Sequence, residues 1–571
     1  MNGKSSLGCG FLALIILVIG IVATQMFSRP DPNSTATTDV LPPPSADQIR
    51  LVFTYGSEKE SWLKEVTADF NRKRILQDGK AIVVEAIPMG SGECIDELLD
   101  GRRQAHLVSP ASAAFIRIGN AKARAANGRD LVPNSENLVL SPVVIAMWKP
   151  MAEALGWGTK PVGWSDILAL ASDPRGWAAH GQPQWGRFSF GHTHPEYSNS
   201  GLISVFAEVY AGAGKVSGLT NADLADPKVG EFVRAIERSV VHYGSSTGFF
   251  AKKLSAGGPN YLSAAVLYEN NVIEDQLARA GKASPFPPLV AIYPKEGTFW
   301  SDHPAGIVDR DWVTPAHRSA ARKYLDFLLA RPQQETALRF GFRPAAVEVP
   351  LGAPLDIAHG IDPQEPKTTL EVPSVEVMDG ITRLWRMHKK RSNVALVIDV
   401  SGSMNDEDKI IYAREGAAKL VTMLGDEDQY SLLTFNNTST WAQRKMPLNG
   451  AERQRAVTQV QGLFAGGGTA LYDAVDEACA SLTAQPDLDH ISAVVVLSDG
   501  ADTDSKISLD ALLTRIRGTS ERPAPRVFTI GYGKSAKSDV LKIIADATNG
   551  KFYVGTQRDI IAVFKDISTF F

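Results

Sequence analysis

The chain has 571 residues and a formal net charge of −4, with 44% hydrophobic and 21% charged residues. This length exceeds what a single hydrophobic core holds, so we expect two or three domains of ordinary globular composition. The negative charge argues against a general nucleic-acid-binding protein, which carries a basic surplus. The three cysteines, Cys9, Cys94 and Cys479, lie far apart without C-x-x-C spacing, which argues against a disulfide framework, redox chemistry and zinc binding.

The N-terminus carries an uncharged apolar run, GFLALIILVIGIVATQMF, at residues 10–27. A helix of this run is about 27 Å long, which is enough to cross the bilayer core. Lys4 precedes it and favours a cytoplasmic tail at residues 1–9. Because the segment 22–24 (Val-Ala-Thr) makes a poor signal-peptidase site, we favour an uncleaved signal anchor over a cleaved signal peptide. The sequence therefore predicts a single-pass protein of the cell membrane with most of the chain outside the cytoplasm.

Composition divides the remainder of the chain into four segments. Residues 28–48 are rich in Pro, Ser and Thr and are predicted to form an extended tether. Short strands alternate with amphipathic helices through 49–344, and a Pro-containing hinge or linker follows at 345–391. A regular strand–helix order returns at 392–571. We therefore expect two α/β domains, the larger one first.

The C-terminal domain has the alternation of a doubly wound, Rossmann-like parallel sheet. Its first strand, Asn393–Ile398, is apolar throughout, which indicates burial on both faces. Oxygen-bearing side chains follow the strands in three separate loops: Asp399, Ser401, Ser403, Thr469 and Asp499. Open α/β sheets place ligands at the carboxyl ends of their strands, so we expect these side chains at one sheet edge. The acids Asp406, Glu407 and Asp408 fit the first turn of the next helix and are not expected to be ligands.

Hydroxyls and carboxylates without His or Cys suit a hard cation, Mg²⁺, Mn²⁺ or Ca²⁺, in oxygen coordination. The D-x-S-x-S spacing, the Gly-Gly-Thr loop and the strand ending in Ser-Asp-Gly resemble the von Willebrand factor type A (VWA) domain. The resemblance implies a metal-ion-dependent adhesion site in which the serines and the threonine bind the cation directly. It further implies that the aspartates often act through water and that a partner protein supplies a carboxylate to one open coordination position.

The larger domain offers hydroxyls at predicted helix starts and one aromatic side chain as pocket candidates: Ser57, Ser91, Ser198, Ser200 and Tyr268. Helix N-termini attract anionic and polar groups, although ordinary helix capping explains each serine taken alone, as in a capping box of Ser57 with Glu60. The stretches NLVLSPVVIAMW and AARKYLDFLLARPQQETALRFGFRPA resemble type 2 periplasmic solute-binding proteins. That resemblance covers about residues 50–344 and implies two lobes around a cleft.

Two further motifs suggest other chemistry. The G-x-S-x-G pattern of Gly244–Gly248 matches the esterase nucleophile motif, but the preceding residues have a helical pattern where a strand is needed. His192, His194 and Glu196 have H-x-H-x-E spacing for zinc, although their Pro- and Ser-rich surroundings favour a solvated loop. Neither pattern makes a case for catalysis.

Three functions remain open. The first is a non-enzymatic, membrane-anchored recognition scaffold that binds a small solute or a peptide in the large domain and an acidic protein partner at the metal. The second is the solute receptor of an ABC-type transport system, which would need a permease partner. The third is a hydrolase that uses the cation, for which Asp499 is the one candidate base. The motifs favour the first.

Overall fold

The computed structural model describes residues 47–484, 490–499, 501–517, 524–533, 537–556 and 560–571. The predicted tail (1–9), the predicted membrane segment (10–27) and nearly all of the predicted tether (28–48) lie outside the described residues. Within the described ranges no helix combines the length and apolarity that a bilayer crossing requires.

The first lobe is built on a six-stranded sheet. Its central strand, Gln48–Gly56, pairs in parallel with Lys80–Met89 and Leu107–Ser109. Helix Glu60–Lys73 buries one apolar face, which includes Trp62 and Phe70, against this sheet. From edge to edge the strands are Leu76–Gln77, Lys80–Met89, Gln48–Gly56, Leu107–Ser109, Pro304–Ile307 and Ser135–Asn137. The helices of this lobe are Glu60–Lys73, Ser91–Leu99, Ala113–Asn127, Pro315–Leu329 and Arg331–Arg339.

The second lobe has a seven-stranded sheet centred on the long, buried strand Val139–Trp148. Trp300–Ser301 and Arg343–Pro344 are short strands that pair with it. The main strand order is Leu289–Ile292, Val139–Trp148, Ala264–Tyr268, Phe190–Thr193 and Val240–Gly244. The helices are Lys149–Leu155, Trp164–Ser172, Asn199–Ala213, Asn221–Leu224, Pro227–Glu237, Thr247–Gly257 and Glu269–Arg279. The chain crosses from one sheet to the other three times: near Leu138, between Ser301 and Pro304, and before Arg343. The two sheets therefore form two lobes.

The segment predicted to be a hinge lies against the second lobe. Arg343 donates bidentate hydrogen bonds to Glu269, at 2.9 Å from Nε and 2.7 Å from Nη2. The same guanidinium donates to the carbonyl oxygens of Pro363 and Glu365 and so fixes the following segment. The helix Val375–His388 then leads to the C-terminal domain.

The C-terminal domain has a six-stranded sheet with parallel pairing throughout, except at the edge strand Ser439–Pro447. The strand order is Ser439–Pro447, Gln429–Phe435, Arg391–Asp399, His490–Ser498, Arg526–Tyr532 and Phe552–Gly555. The helices are Lys409–Met423, Gly450–Gln461, Leu471–Thr483, Leu509–Ile516, Ser538–Ala547 and Ile560–Ser568. The α/β class predicted for the chain is confirmed.

The C-terminal domain contacts the second lobe directly. The backbone N–H of Tyr243 donates to the carbonyl oxygen of Phe570 at 3.1 Å. Lys253 Nζ donates to the carbonyl oxygen of Gly550 at 2.6 Å, and burial lowers the pKa of this lysine well below its usual value. Residues 47–571 accordingly form one compact unit.

Candidate functional site

The first predicted loop begins at Asp399, the last residue of the buried strand Arg391–Asp399. Asp399 is fully buried; its Oδ1 accepts from the backbone N–H of Ser401 at 2.8 Å and its Oδ2 accepts from Ser498 Oγ at 2.6 Å. Burial raises the pKa of the Asp399 carboxyl, although the hydrogen bonds from Ser401 and Ser498 act in the opposite direction. These bonds hold the carboxylate at the sheet edge and orient the start of the loop.

The first and third loops meet through hydroxyl groups. Ser403 Oγ donates to Asp499 Oδ1 at 2.7 Å and lies 3.1 Å from Ser401 Oγ. Asp499 follows the strand His490–Ser498 and is 1% exposed, whereas Ser403 is exposed. The site therefore has buried carboxylates beneath a hydroxyl that faces solvent.

Lys409 is a member of this cluster that sequence reasoning missed. Its Nζ lies 2.5 Å from Asp499 Oδ2 and 3.4 Å from the carbonyl oxygen of Ser403. The lysine is the first residue of helix Lys409–Met423 and is 6% exposed. A buried carboxylate needs a compensating charge. The sequence, an apolar strand followed by a loop with acidic residues, does not indicate that a lysine supplies this charge.

The second loop brings Thr469 to the same edge. The N–H of Gly402 donates to the carbonyl oxygen of Gly467 at 2.9 Å, so the first and second loops touch. Gly467 has φ +94°, a conformation that favours glycine and permits this close approach. The backbone N–H of Thr469 donates to Thr503 Oγ1 at 3.0 Å and to Asp504 Oδ2 at 2.9 Å. These bonds fix the backbone at Thr469 and do not involve the hydroxyl group of Thr469.

Asp504 is a second residue that the motif did not reveal. Besides the bond from Thr469, it accepts hydrogen bonds from Thr503 Oγ1 at 2.6 Å and from Asn437 Nδ2 at 3.1 Å. The Thr503 hydroxyl and the other donors lower the pKa of the Asp504 carboxyl. Asp504 thus stabilises the second loop, which holds Thr469, from the solvent side.

The donor set fits a hard divalent cation. Two buried carboxylates and three hydroxyls on three adjoining loops are oxygen donors of the kind that Mg²⁺ prefers, and the described part of this cluster includes no histidine or cysteine. Ser403 Oγ bridges Ser401 and Asp499, so these ligand candidates already lie within hydrogen-bond reach of one another.

The acids after this motif do not form the first turn of the next helix, although Asp408 is its N-cap. Residues 402–408 form 3₁₀ turns interrupted by non-helical backbone angles at Asp406 and Glu407, and the α-helix begins only at Lys409. Glu407 and Asp408 have φ angles of 52° and 57°, so they belong to a turn and not to the first helical turn. The turn is what directs Lys409 back toward Asp499.

The second lobe holds most of the hydroxyl candidates of the large domain in one buried cluster. Thr247 Oγ1 lies 3.1 Å from Ser198 Oγ and donates to Ser200 Oγ at 2.9 Å. Tyr268, fully buried, accepts at its hydroxyl from Asn199 Nδ2 at 3.0 Å. These polar side chains therefore bond mainly to one another.

Ser91 and Ser57 lie on the first lobe and are also engaged by protein atoms. Ser91 Oγ accepts from the N–H of Ala111 at 2.9 Å. Ser57 Oγ accepts from the N–H of Gly248 on the second lobe at 3.1 Å. The predicted capping box of Ser57 with Glu60 is wrong, since the helix Glu60–Lys73 has no side-chain cap.

The two lobes touch across the cleft. The N–H of Gly92 on the first lobe donates to the carbonyl oxygen of Tyr197 on the second at 2.9 Å. Ser112 Oγ donates to Asn199 Oδ1 at 2.7 Å across the same boundary. A Cβ at Gly92 would lie 2.2 Å from the carbonyl oxygen of Glu196, so only glycine permits this approach. Of the residues predicted to line a solute pocket, Ser57 bonds across this contact, and Ser91, Ser198 and Ser200 are chain neighbours of residues that do.

The two motifs set aside in the sequence have different contexts from those expected. The helix predicted before G-x-S-x-G is confirmed as far as Glu237, but strand Val240–Gly244 follows it and directly precedes the motif. Ser246 nevertheless has φ −152°, the extended conformation of a helix N-cap and not that of a strained elbow. His192 is a buried strand residue bonded to Glu237, whereas Glu196 pairs with Arg386. The H-x-H-x-E residues therefore have separate partners. The expectation that they lie in a solvated loop is wrong, because His192 is buried in a strand.

Comparisons with known proteins agree with this architecture. A family model described as bacterial extracellular solute-binding protein matches residues 51–343, just over half of the chain. A second model, the von Willebrand factor type A domain, matches residues 393–565. Both are domains of binding and adhesion types and not known enzyme families.

Related proteins differ in how much of the chain they share. Calcium-activated chloride channel regulator 3A-1 of Mus musculus is 25% identical over 186 residues, which cover 32% of this chain and 20% of that protein. The chain therefore spans about a fifth of the length of that relative. Uncharacterized protein Rv1836c of Mycobacterium tuberculosis is 21% identical over 579 residues, which cover 96% of this chain and 81% of that protein.

Solved structures resemble each part separately. A periplasmic thiamin binding protein is 15% identical with a TM-score of 0.45 and covers 61% of this chain and 99% of its own. A von Willebrand factor type A protein from Catenulispora acidiphila is 21% identical with a TM-score of 0.29 and covers 32% of this chain and 43% of its own. On the two family matches, the chain belongs to the bacterial extracellular solute-binding proteins and joins that domain to a C-terminal VWA domain.

Proposed function

We propose that this protein is a non-enzymatic recognition scaffold, anchored in the cell membrane and exposed outside the cytoplasm. Its VWA domain binds an acidic segment of a partner protein through Mg²⁺, and its solute-binding-like domain presents a second binding surface. The proposed ligands of the cation are Asp399, Ser401, Ser403, Thr469 and Asp499.

The hydroxyl bridge from Ser401 through Ser403 to Asp499 carries this proposal. Neutral hydroxyls neutralise little of the charge of a divalent cation, so a bound Mg²⁺ supplies an electrophilic position for one further oxygen ligand. Ser403 is exposed, whereas Asp399 and Asp499 are buried, so the solvent side of the site is open to a carboxylate from a partner.

The exposed side chain of Phe464 lies in the loop that leads to Thr469 and is 82% exposed. Arg414 lies over its ring at 5.3 Å from the centroid. The apolar group on this loop and the cationic group on the adjacent helix Lys409–Met423 add contact area for an acidic peptide. This supports a protein partner more than a small anion.

A panel of short peptides, each with one Asp or Glu and a matched Asn or Gln version, tests the proposal on the chain from Ser34 to Phe571. We expect some acidic peptides to bind the wild type in the presence of Mg²⁺. This binding should be lost when EDTA is added, when the acidic residue is replaced by its amide, and in the Asp499→Ala variant. Binding that survives EDTA, or that does not distinguish carboxylate from amide, would refute the proposed mode of recognition. Ser481→Ala, an exposed serine of helix Leu471–Thr483, is the control variant.

The solute receptor of a transport system is the second candidate, favoured by the family match over residues 51–343. Against it, Ser91, Ser198, Ser200 and Tyr268 bond to protein atoms of their own lobes. Thermal unfolding with anions, sugars and amino acids decides between them. A solute at 100 times its dissociation constant stabilises by about 2.7 kcal/mol and would support the receptor.

Membrane anchoring depends on residues 10–27. We expect the full chain to stay in the membrane fraction after alkaline carbonate extraction, and the chain from Ser34 onward to be soluble. Release of the full chain by carbonate would contradict the anchor.

A further inference from the structure

A buried group of one histidine and two glutamates lies in the second lobe, and its members belong to neither cluster described above. His192, Glu208 and Glu237 are each 0% exposed, and one potential metal-ligand atom from each lies within 4.8 Å of the others. His192 belongs to strand Phe190–Thr193, while the glutamates belong to two neighbouring helices. Side chains from three elements therefore converge on one interior point.

The bonding of His192 leaves its Nε2 directed at an acceptor. Its Nδ1 lies 2.7 Å from the carbonyl oxygen of Thr193, which only accepts, so Nδ1 carries a proton. Nε2 lies 3.0 Å from Glu237 Oε1. One proton shared between Nε2 and Glu237 Oε1 satisfies this contact, and a cation bound to both atoms would take the place of that proton.

Glu208 supplies an independent sign of a missing ligand. Its Oε1 accepts from Ser204 Oγ at 2.9 Å, whereas its Oε2 is buried without a hydrogen-bond partner. Unpaired buried carboxylate oxygens are costly and rare. A divalent cation would pair this oxygen and would also balance the charge of two ligating carboxylates.

The surrounding bonds are those of supported metal ligands. Ligating histidines usually donate their second N–H to a carbonyl, as His192 does to Thr193, and ligating carboxylates are themselves hydrogen-bonded. Glu237 accepts from Tyr243 OH at 2.6 Å and from Trp385 Nε1 at 3.1 Å. Each candidate ligand is thus oriented by a partner outside the group.

We propose that His192, Glu208 and Glu237 bind a structural Zn²⁺ in the core of the second lobe. One nitrogen and carboxylate oxygens suit zinc better than Mg²⁺, which prefers oxygen alone. Zinc bond lengths of about 2.0 Å place neighbouring tetrahedral donors about 3.3 Å apart, close to the 3.0 Å between His192 Nε2 and Glu237 Oε1. The expectation against zinc considered the cysteines and the H-x-H-x-E motif, and the present set shares only His192 with that motif.

The site would also fix the path to the VWA domain. Trp385 lies on helix Val375–His388, which joins the two domains, and its indole N–H donates to Glu237. A cation bound to Glu237 therefore fixes the carboxylate to which Trp385 donates, and so helps to position helix Val375–His388. Trp385→Phe, which removes the donor and keeps an aromatic ring, should weaken zinc binding by about 10- to 100-fold.

Metal analysis of protein expressed with zinc and dialysed against EDTA tests the proposal. We expect about one zinc per chain in the wild type and in Asp499→Ala, which disrupts only the VWA site, and loss of most of it in Glu208→Gln and His192→Gln. Glu208→Gln has nearly the shape of glutamate and removes a buried charge, so it should fold even if His192→Gln does not. His180→Gln, an exposed histidine, is the control.

Cobalt substitution gives a second measurement. Co²⁺ at a nitrogen–oxygen site with low coordination absorbs visible light, and we expect this absorption in the wild type and not in Glu208→Gln. Folded wild-type protein without bound transition metal, or Glu208→Gln that retains zinc at the wild-type level, would overturn the proposal.

Discussion

Lys409 Nζ lies 2.5 Å from Asp499 Oδ2, and the two side chains are 8% and 0% exposed. Asp499 is the residue that the sequence motif assigns to a metal, whereas the lysine lies outside the motif. The ammonium group compensates the buried carboxylate and also repels any divalent cation that binds beside it. The proposed site therefore has a built-in charge that competes with the metal.

We expect Lys409→Met to tighten Mg²⁺ binding and to destabilise the chain without Mg²⁺. The metal no longer meets a neighbouring positive charge, while Asp499 is left buried without a cation, which costs about 3–5 kcal/mol. Urea unfolding with and without Mg²⁺ measures both effects. Lys419→Met, on an exposed position of the same helix, is the control. Equal stability of Lys409→Met and Lys419→Met without Mg²⁺ would contradict this role.

The sequence predicted the elements of the VWA site because its signal is local. Asp399, Ser401 and Ser403 follow one apolar strand within a few residues, and parallel strands bring their carboxyl ends to one edge. Lys409 was missed because the acids before it fit a helix start, whereas Glu407 and Asp408 adopt positive φ angles and turn the chain. A turn in which acidic residues adopt positive φ angles cannot be recognised from the residue types alone.

The large domain was harder to predict because its contacts join residues distant in sequence. Ser112 and Asn199 bond across the lobes from positions 87 residues apart. The helical pattern before Gly244 is correct as far as Glu237, but its last residues form strand Val240–Gly244 through pairing with Phe190–Thr193. Tertiary pairing decided both cases.

Gly92→Ala tests the lobe contact. The added Cβ would lie 2.2 Å from the carbonyl oxygen of Glu196, so the lobes must separate or the helix must shift. We expect a loss of about 1–3 kcal/mol and a larger radius of gyration by X-ray scattering. Gly352→Ala, whose Cβ would meet nothing within 4 Å, should change neither. Unchanged scattering and stability in Gly92→Ala would show that the lobes do not close in solution.

Arg343→Met tests how the connecting segment is held. The change leaves Glu269 buried without its bidentate partner, and we expect a loss of about 3–5 kcal/mol together with faster proteolysis in residues 345–374. Arg343→Lys should recover only part of this, because lysine lacks the planar fork. Arg331→Met breaks an exposed pair with Glu335 and should cost no more than about 1 kcal/mol. Similar losses in both variants would contradict the anchoring role.

Acid sensitivity should depend on His303. Burial and the neighbouring Lys59 lower the pKa of His303 to about 4, whereas the unfolded chain titrates near its usual value of 6.5. Between these values the unfolded state binds a proton that the folded state does not, so stability falls as the pH is lowered from 6.5 toward 4. This histidine contributes up to about 1.4 kcal/mol per pH unit.

Urea unfolding at pH 7.5 and 5 measures that dependence. His303→Gln removes the titrating group, so we expect a smaller stability difference between the two pH values than in the wild type. His180→Gln replaces an exposed histidine and should keep the wild-type difference. A pH dependence that is the same in all three proteins would exclude His303 as a contributor.

Calorimetric titration of Mg²⁺ into the chain from Ser34 to Phe571 tests the central claim most directly. The account predicts one saturable binding event in the wild type and in Ser481→Ala, and its loss in Ser401→Ala and Asp499→Ala with the large domain still folded. Equal Mg²⁺ affinity in the wild type and these two site variants would contradict the metal-dependent recognition site.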